Sequence, residues 1–272
     1  MFFRKSVDKL VMFWRMRFSA FLKSVIYNFL LWSSVSRRYK SCAILMYHTI
    51  SDKDVLYVVE SEDFSWQMDF LKKNNFNVIS LAELVDKLRN KKNIPDKTVV
   101  LTFDDGYEDN YLMAWPILRK YNFPATIFLA TGRVGGIYKS QSQNVSFRML
   151  SWSQIKEMHQ SGLVDFEPHT VSHPKLVNFS IAGAEQEITI SKLTIEEQLN
   201  KKCLFFAYPA GSYNQDVINI LEKNDFIAAV TVKPGFIKSD DKLLELNRNF
   251  VYLYCSRPEF KAICGLSYKL IW

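Results

Sequence analysis

Glycine is scarce in this chain, nine among 272 residues, and cysteine scarcer, with four. So little glycine excludes a collagen-like or low-complexity protein. The four cysteines, Cys42, Cys203, Cys255 and Cys264, form no C-x-x-C pair and no zinc-finger spacing, which excludes a disulfide scaffold or a structural zinc module. A Cys255–Cys264 disulfide is the one pairing the sequence leaves open. There is no internal repeat or polar linker, and no apolar run of ~20 residues free of polar breaks. Histidine is also rare, four in all, so each is worth placing. What is present is a hydrophobic content of 48%, mixed charge and 15% aromatics, enough to build a substantial core.

The net charge of +7 is unevenly spread. Residues 1–40 hold nine basic groups against Asp8, giving +8, whereas residues 41–272 hold 26 basic and 27 acidic groups. A near-neutral body without a basic stripe argues against nucleic acid as a partner. The head also holds ten aromatics. Its most apolar part, FSAFLKSVIYNFLLWSSV (residues 18–35), is broken by Lys23 and Asn28. Basic residues flank both ends, and no small-residue cleavage pattern follows, so it is a poor secretory signal. Three readings stay open: an amphipathic helix lying in the headgroup plane, a marginal span or signal anchor, and a helix packed on the body. The first, with its basic and aromatic content, predicts a membrane-associated protein held at a membrane surface through residues 1–40, the bacterial inner membrane being the expected one.

From residue 41 onward, short β runs alternate with helical stretches. The expected strands are 43–47, 98–103, 125–130, 164–167, 204–208 and 226–232, with a short one within 249–254. The expected helices are 65–75, 81–89, 110–121, 152–161, 186–199 and 215–224, with Asp63 and Ser151 or Ser153 as caps. Near-continuous apolar strands between helices predict an α/β domain with a covered parallel sheet. Roughly seven strands without a break suggest one barrel-like unit. Residues 132–149 read as an irregular loop.

Active sites of parallel α/β folds gather at the carboxyl ends of strands, and four polar clusters sit at such ends. Asp104 and Asp105 precede Gly106; both carboxylates reach one site only if the strand turns there, and a cation or a shared proton must compensate them. His169 and His173 are four apart, able to share one ion from a helix or a curled loop. Two imidazoles and one carboxylate leave coordination positions open, as in catalytic rather than structural zinc sites. The turn Tyr208-Pro209-Ala210-Gly211 can fix a backbone N–H as an oxyanion donor. His48 ends the first strand. His159 lies within a helical stretch and is given no role.

The ordered motifs TFDDG, HTVSH and FAYPAG, with ILMYH before them, resemble the polysaccharide deacetylases of carbohydrate esterase family four, the NodB-homology domain. The resemblance runs from about Cys42 to Tyr252 and is greatest to the branch acting on poly-N-acetylglucosamine. It implies a distorted (β/α) barrel of about seven parallel strands, preceded here by the amphipathic head, with residues 41–272 as the catalytic domain. By that resemblance Asp105, His169 and His173 match the ligands of Zn2+ or another divalent transition metal. Asp104 matches the base that deprotonates the attacking water, the Ala210 N–H the oxyanion donor, and His48 the acid that protonates the departing amine. Thr170 would orient the histidine loop. The family often has Arg where Ala207 stands, so support for Asp104 is expected from elsewhere, with Arg248 the candidate. Glu167-Pro168 replaces the usual Gly-Ser, and the Asp-x-x-Asp-Trp and Leu-x-His elements of other branches are not visible.

The implied activity is removal of N-acetyl groups from amino sugars of a surface glycan or lipid-linked precursor. A glycan-binding module without turnover and a deformylase or O-deacetylase are the alternatives, because a fold hosts more than one chemistry.

Overall fold

The run TVVLTFDD forms the longest strand, Thr98–Asp105, and all eight of its residues are buried. A strand covered on both faces needs no polar alternation, which is why its sequence is almost uniformly apolar until the two aspartates. The computed structural model describes residues 42–53, 55–140 and 145–265; the expected amphipathic head lies outside them. In chain order the strands are β1 (Cys42–Tyr47), β2 (Thr49–Ile50), β3 (Val58–Val59), β4 (Asn77–Ile79), β5 (Thr98–Asp105), β6 (Ala125–Leu129), β7 (Ile137–Ser140), β8 (Val145–Arg148), β9 (Val164–Pro168), β10 (Phe205–Ala207), β11 (Ala228–Val230) and β12 (Asn249–Phe250). The helices are α1 (Ser61–Lys73), α2 (Leu81–Arg89), α3 (Trp115–Tyr121), α4 (Trp152–Gln160), α5 (Ile181–Leu199), α6 (Gln215–Lys223) and α7 (Arg257–Ile263), with a π-helical turn, Asn110–Ala114, leading into α3.

The main sheet is parallel, in the order β12-β1-β5-β6-β9, and β10-β11 form a second parallel pair. β5 is long enough to take two partners along one edge, β4 beside Thr98–Val100 and β6 beside Leu101–Asp105. The alternating side chains sort into two apolar layers. Ala43, Leu45, Val99, Leu101 and Phe103 join the layer under the helices. Ile44, Val100, Phe128, Phe205, Ala207, Ala228 and Val230 meet in one interior cluster drawn from β1, β5, β6, β10 and β11. That shared interior makes the α/β fold barrel-like.

Among the described residues β9 and β10 share no ladder; side chains join them instead. Glu167 accepts from Leu204 N and Phe205 N, both at 3.0 Å, and His169 Nδ1 lies 2.7 Å from Ala207 O. Lys201 Nζ closes the arrangement on Glu167 at 2.7 Å. On the far side Val230 bridges to Leu246 in parallel, and β12 returns the chain to β1.

Four sequence expectations change. α1 begins at Ser61 behind Glu60, so Asp63 sits in the first turn instead of capping it, where its charge still suits the helix dipole. α5 begins at Ile181, capped by Ser180, five residues before the expected start. The loop 132–149 contains an antiparallel hairpin, β7–β8, whose strand pattern was hidden by polar residues on its exposed face. β4 was missed because three residues carry too little periodicity. Ser151 does cap α4, in a reciprocal capping box with Gln154. All four cysteines are buried, and Cys264 is a free thiol, so no Cys255–Cys264 disulfide is present.

Candidate active site

The strand parity of β5 separates its two aspartates. Val100, Thr102 and Asp104 follow one row, so Asp104 enters the barrel interior, 3% exposed. There Arg248, which is fully buried, grips it with Nη1 and Nη2 each 2.7 Å from one carboxylate oxygen. The same guanidinium is fixed by Nε to Thr231 O at 2.8 Å and by Nη1 to Thr102 Oγ1 at 3.2 Å. Burial by itself would raise the Asp104 pKa, but the guanidinium overrides it and holds the carboxyl well below the usual range.

Asp105 belongs to the opposite row and would point to the helix layer. Its own left-handed backbone, φ 73°, and that of Gly106, φ 79°, turn the chain so that both acids face the same mouth. The turn therefore begins one residue before the glycine. Tyr107 Oη donates to Asp105 Oδ2 at 3.0 Å, and Arg133 Nη1 approaches Oδ1 at 3.3 Å.

The histidine segment is a curled loop, not a helix. Thr170 and His173 both have positive φ, 67° and 63°, and Thr170 Oγ1 accepts from His173 N at 3.0 Å. From α5, Glu187 accepts from Val171 N and Ser172 N and ties the loop to the body. Because Ala207 O can only accept, the 2.7 Å contact puts the His169 proton on Nδ1 and leaves Nε2 a lone pair. Burial pushes His169 down to about 4, which favours the neutral, ligating form.

The ligand atoms of Asp105, His169 and His173 all lie within 4.8 Å of one another. Two imidazoles and one carboxylate, with a fixed tautomer on His169, suit a divalent transition metal. These residues fit the ion that the sequence implies. The surrounding cavity, about 250 Å³, is lined by His48, Tyr57, Asp104, Asp105, Tyr107 and Arg133, and further by Tyr138, His169, His173, Ala210 and Val232.

The six residues read from sequence as metal ligands or catalytic groups, His48, Asp104, Asp105, His169, His173 and Ala210, thus border one space. Ala210 is left-handed, φ 53°, in the turn Pro209–Gly211. Gly211 follows at φ +64°, and a Cβ there would meet Val232 Cγ2 at 2.3 Å, so this turn excludes any side chain at 211. His48 packs edge-on against Phe250, ring centroids 5.4 Å apart, and tilted to Tyr57. Burial lowers its pKa, while Asp104 and Asp105 pull the other way. His159 is in α4, away from this cavity. Arg133, Tyr57, Tyr107, Tyr138 and Glu187 carried no sequence signal, since loops of different strands bring them in.

A profile of the polysaccharide deacetylase family matches residues 91–229, and the chain belongs to that family. It is 33% identical over 205 residues to YxkH of Bacillus subtilis, covering 75% of this chain and 69% of that protein. It is 30% identical to the poly-beta-1,6-N-acetyl-D-glucosamine N-deacetylase of Staphylococcus aureus, covering 76% and 70%. Among solved structures, the Streptococcus pyogenes deacetylase PplD in complex with acetate superposes with TM-score 0.72 at 31% identity, covering 84% and 98%. IcaB from Ammonifex degensii superposes with TM-score 0.76 at 26% identity and the same coverage. The motifs that carried the resemblance thus agree with similarity over 75% to 84% of the chain.

Proposed function

We propose that the protein is a metal-dependent N-deacetylase of N-acetylglucosamine residues in a surface polysaccharide or its lipid-linked precursor. The observation that carries this reading is the buried Asp104–Arg248 pair beside the Asp105, His169 and His173 cluster, all facing one cavity. The poly-N-acetylglucosamine substrate is that of the staphylococcal relative. A divalent ion held by the cluster, Zn2+ being the expected one, polarises an amide carbonyl and acidifies water when bound.

The chain's own groups do the rest. Arg248 keeps Asp104 ionised, so the carboxylate is ready to take the proton of the attacking water. The left-handed turn at Ala210 presents a backbone donor to the developing oxyanion, and no side chain takes part in that role. His48 gives a proton to the departing amine, without which an amide nitrogen leaves poorly. Ala207 in place of Arg does not remove catalytic support, because Arg248 performs it from the residue just before β12.

Acetate release from β-1,6-linked N-acetylglucosamine oligomers tests the reading. We expect turnover that a chelator abolishes and added zinc restores, and a loss of about 10²–10⁴-fold in Asp104→Asn. Tight glycan binding with no acetate from any N-acetylhexosamine would establish the non-catalytic alternative, and formate or ester-derived product the third one.

A further inference from the structure

The geometry points to Asp109 and Asn110 as positioning residues that hold His48 where it can protonate the leaving amine. This rests on the deacetylase reading above. His48 occupies the single-residue gap between β1 and β2. Its ring nitrogen Nδ1 is buried and has no hydrogen-bond partner, so no side chain fixes the imidazole through that atom. Its place is set by the aromatic walls of Phe250 and Tyr57 and by the backbone that carries it.

That segment is gripped at three successive residues, through backbone groups of His48 and Ile50 and the side chain of Thr49. Asn110 Nδ2 donates to His48 O at 2.8 Å, Thr49 Oγ1 donates to Asp109 Oδ2, and Ile50 N donates to Asp109 Oδ1 at 3.1 Å. Asn110 Nδ2 also donates to Asp109 Oδ1 at 3.1 Å, which locks the two clamp residues together. With both of its amide hydrogens used, the orientation of the Asn110 side chain is defined. Its Oδ1 is left buried and unpartnered, as His48 Nδ1 is.

The placement follows from the chain. β5 delivers Asp104 and Asp105, the turn through Gly106 reverses direction, and Asn110 opens a π-helical turn whose wider winding departs from the regular helix that follows. One seven-residue stretch, Asp104–Asn110, therefore supplies the base and a metal ligand at its start and the support of the acid at its end. A displacement of the donor by about 1 Å costs on the order of 10²-fold in rate, so the clamp has leverage although it touches no substrate.

The test uses a pair of substrates with different need for a proton. Amide cleavage requires protonation of the amine, whereas 4-nitrophenyl acetate expels a phenolate unaided. In the zinc-loaded full chain, Asp109→Asn and Asn110→Ala should lower kcat on an N-acetylglucosamine oligomer by about 10–100-fold. The ester rate, the amide KM and zinc affinity should stay within about twofold of wild type, the pattern expected of His48→Ala with its larger loss on the amide. Thr49→Val, which removes one bond of the clamp, should give the same pattern at about threefold, and it serves if the other variants fold poorly. Equal losses on both substrates, weakened zinc binding, or an unchanged amide rate would overturn the proposal. If His48→Ala spares the amide, the proposal falls while the deacetylase reading stands. If wild-type protein releases no acetate, that reading itself fails.

Discussion

A fully buried arginine is among the most expensive residues to place, and Arg248 is tolerated because all three nitrogens of its guanidinium find acceptors. Asp104 takes the two terminal nitrogens, Thr231 O the Nε and Thr102 the remaining reach. Removing one partner of such a pair leaves an uncompensated buried charge, at a cost of about 3–5 kcal/mol. Arg248→Gln should therefore unfold at lower denaturant concentration by that amount and lose amide turnover. Arg248→Lys should retain more stability but still lose about 10-fold in kcat, because an ammonium cannot fork onto both carboxylate oxygens. The sign with pH follows from the depressed Asp104 pKa. The pair's stabilisation is present above the ordinary carboxylate range and is lost as pH falls through it toward the folded-state value. The difference in unfolding free energy between wild type and Arg248→Gln should shrink as pH is lowered, which urea titrations at several pH values would show. A difference independent of pH would contradict the pairing.

At the scale of elements, the vulnerable line is the join between β9 and β10. An ordinary parallel neighbour would be held by a ladder; here Glu167, only 1% exposed, replaces it by accepting two backbone N–H groups while facing Lys201. This explains the Glu167-Pro168 pair that departs from the family's Gly-Ser. Pro168 ends β9 where no donor is needed. Glu167→Ala would strand Leu204 N and Phe205 N and leave the Lys201 ammonium with Asp165 and Phe166 O, so we expect about 2–5 kcal/mol of destabilisation, against about 1–3 kcal/mol for Glu167→Gln. Because His169 crosses the same join to Ala207 O, both variants should also bind zinc more weakly, by about 10-fold. Chelator competition measures this, and unchanged zinc affinity in a destabilised variant would separate the two roles.

Across the whole molecule, charge and chemistry occupy different places. Residues 1–40 carry +8, while the remainder carries −1. No helix among the described residues is long and apolar enough to cross a membrane. We propose that the head is an interfacial anchor and that residues 41–272 act as the catalytic unit held beside the bilayer. Basic groups near an anionic surface contribute about 1 kcal/mol each. Replacing Arg4, Lys5, Lys9, Arg15 and Arg17 with Gln should thus weaken sedimentation with phosphatidylglycerol vesicles at least ~100-fold, and equal binding of both proteins would refute the assignment. Much of this molecule was legible from local pattern. The strand-end motifs placed Asp104, Asp105, His169, His173 and Ala210, because strand runs and turn residues are short-range signals. Short strands such as Asn77–Ile79, the hairpin strands 137–140 and 145–148 and the starts of α1 and α5 escaped, because they are short or largely exposed and carry little apolar periodicity. The sequence by itself determined the α/β class and the chemical types brought to the strand ends. Only the tertiary structure decided that Asp105 turns by its own positive φ, that Arg248 satisfies Asp104 across 144 residues, and that Asp109 and Asn110 grip the segment of His48. The physical reason is that strand parity and turn chemistry are local properties, whereas a buried charge or an orphaned backbone group takes its partner from whichever segment the fold brings within hydrogen-bond distance.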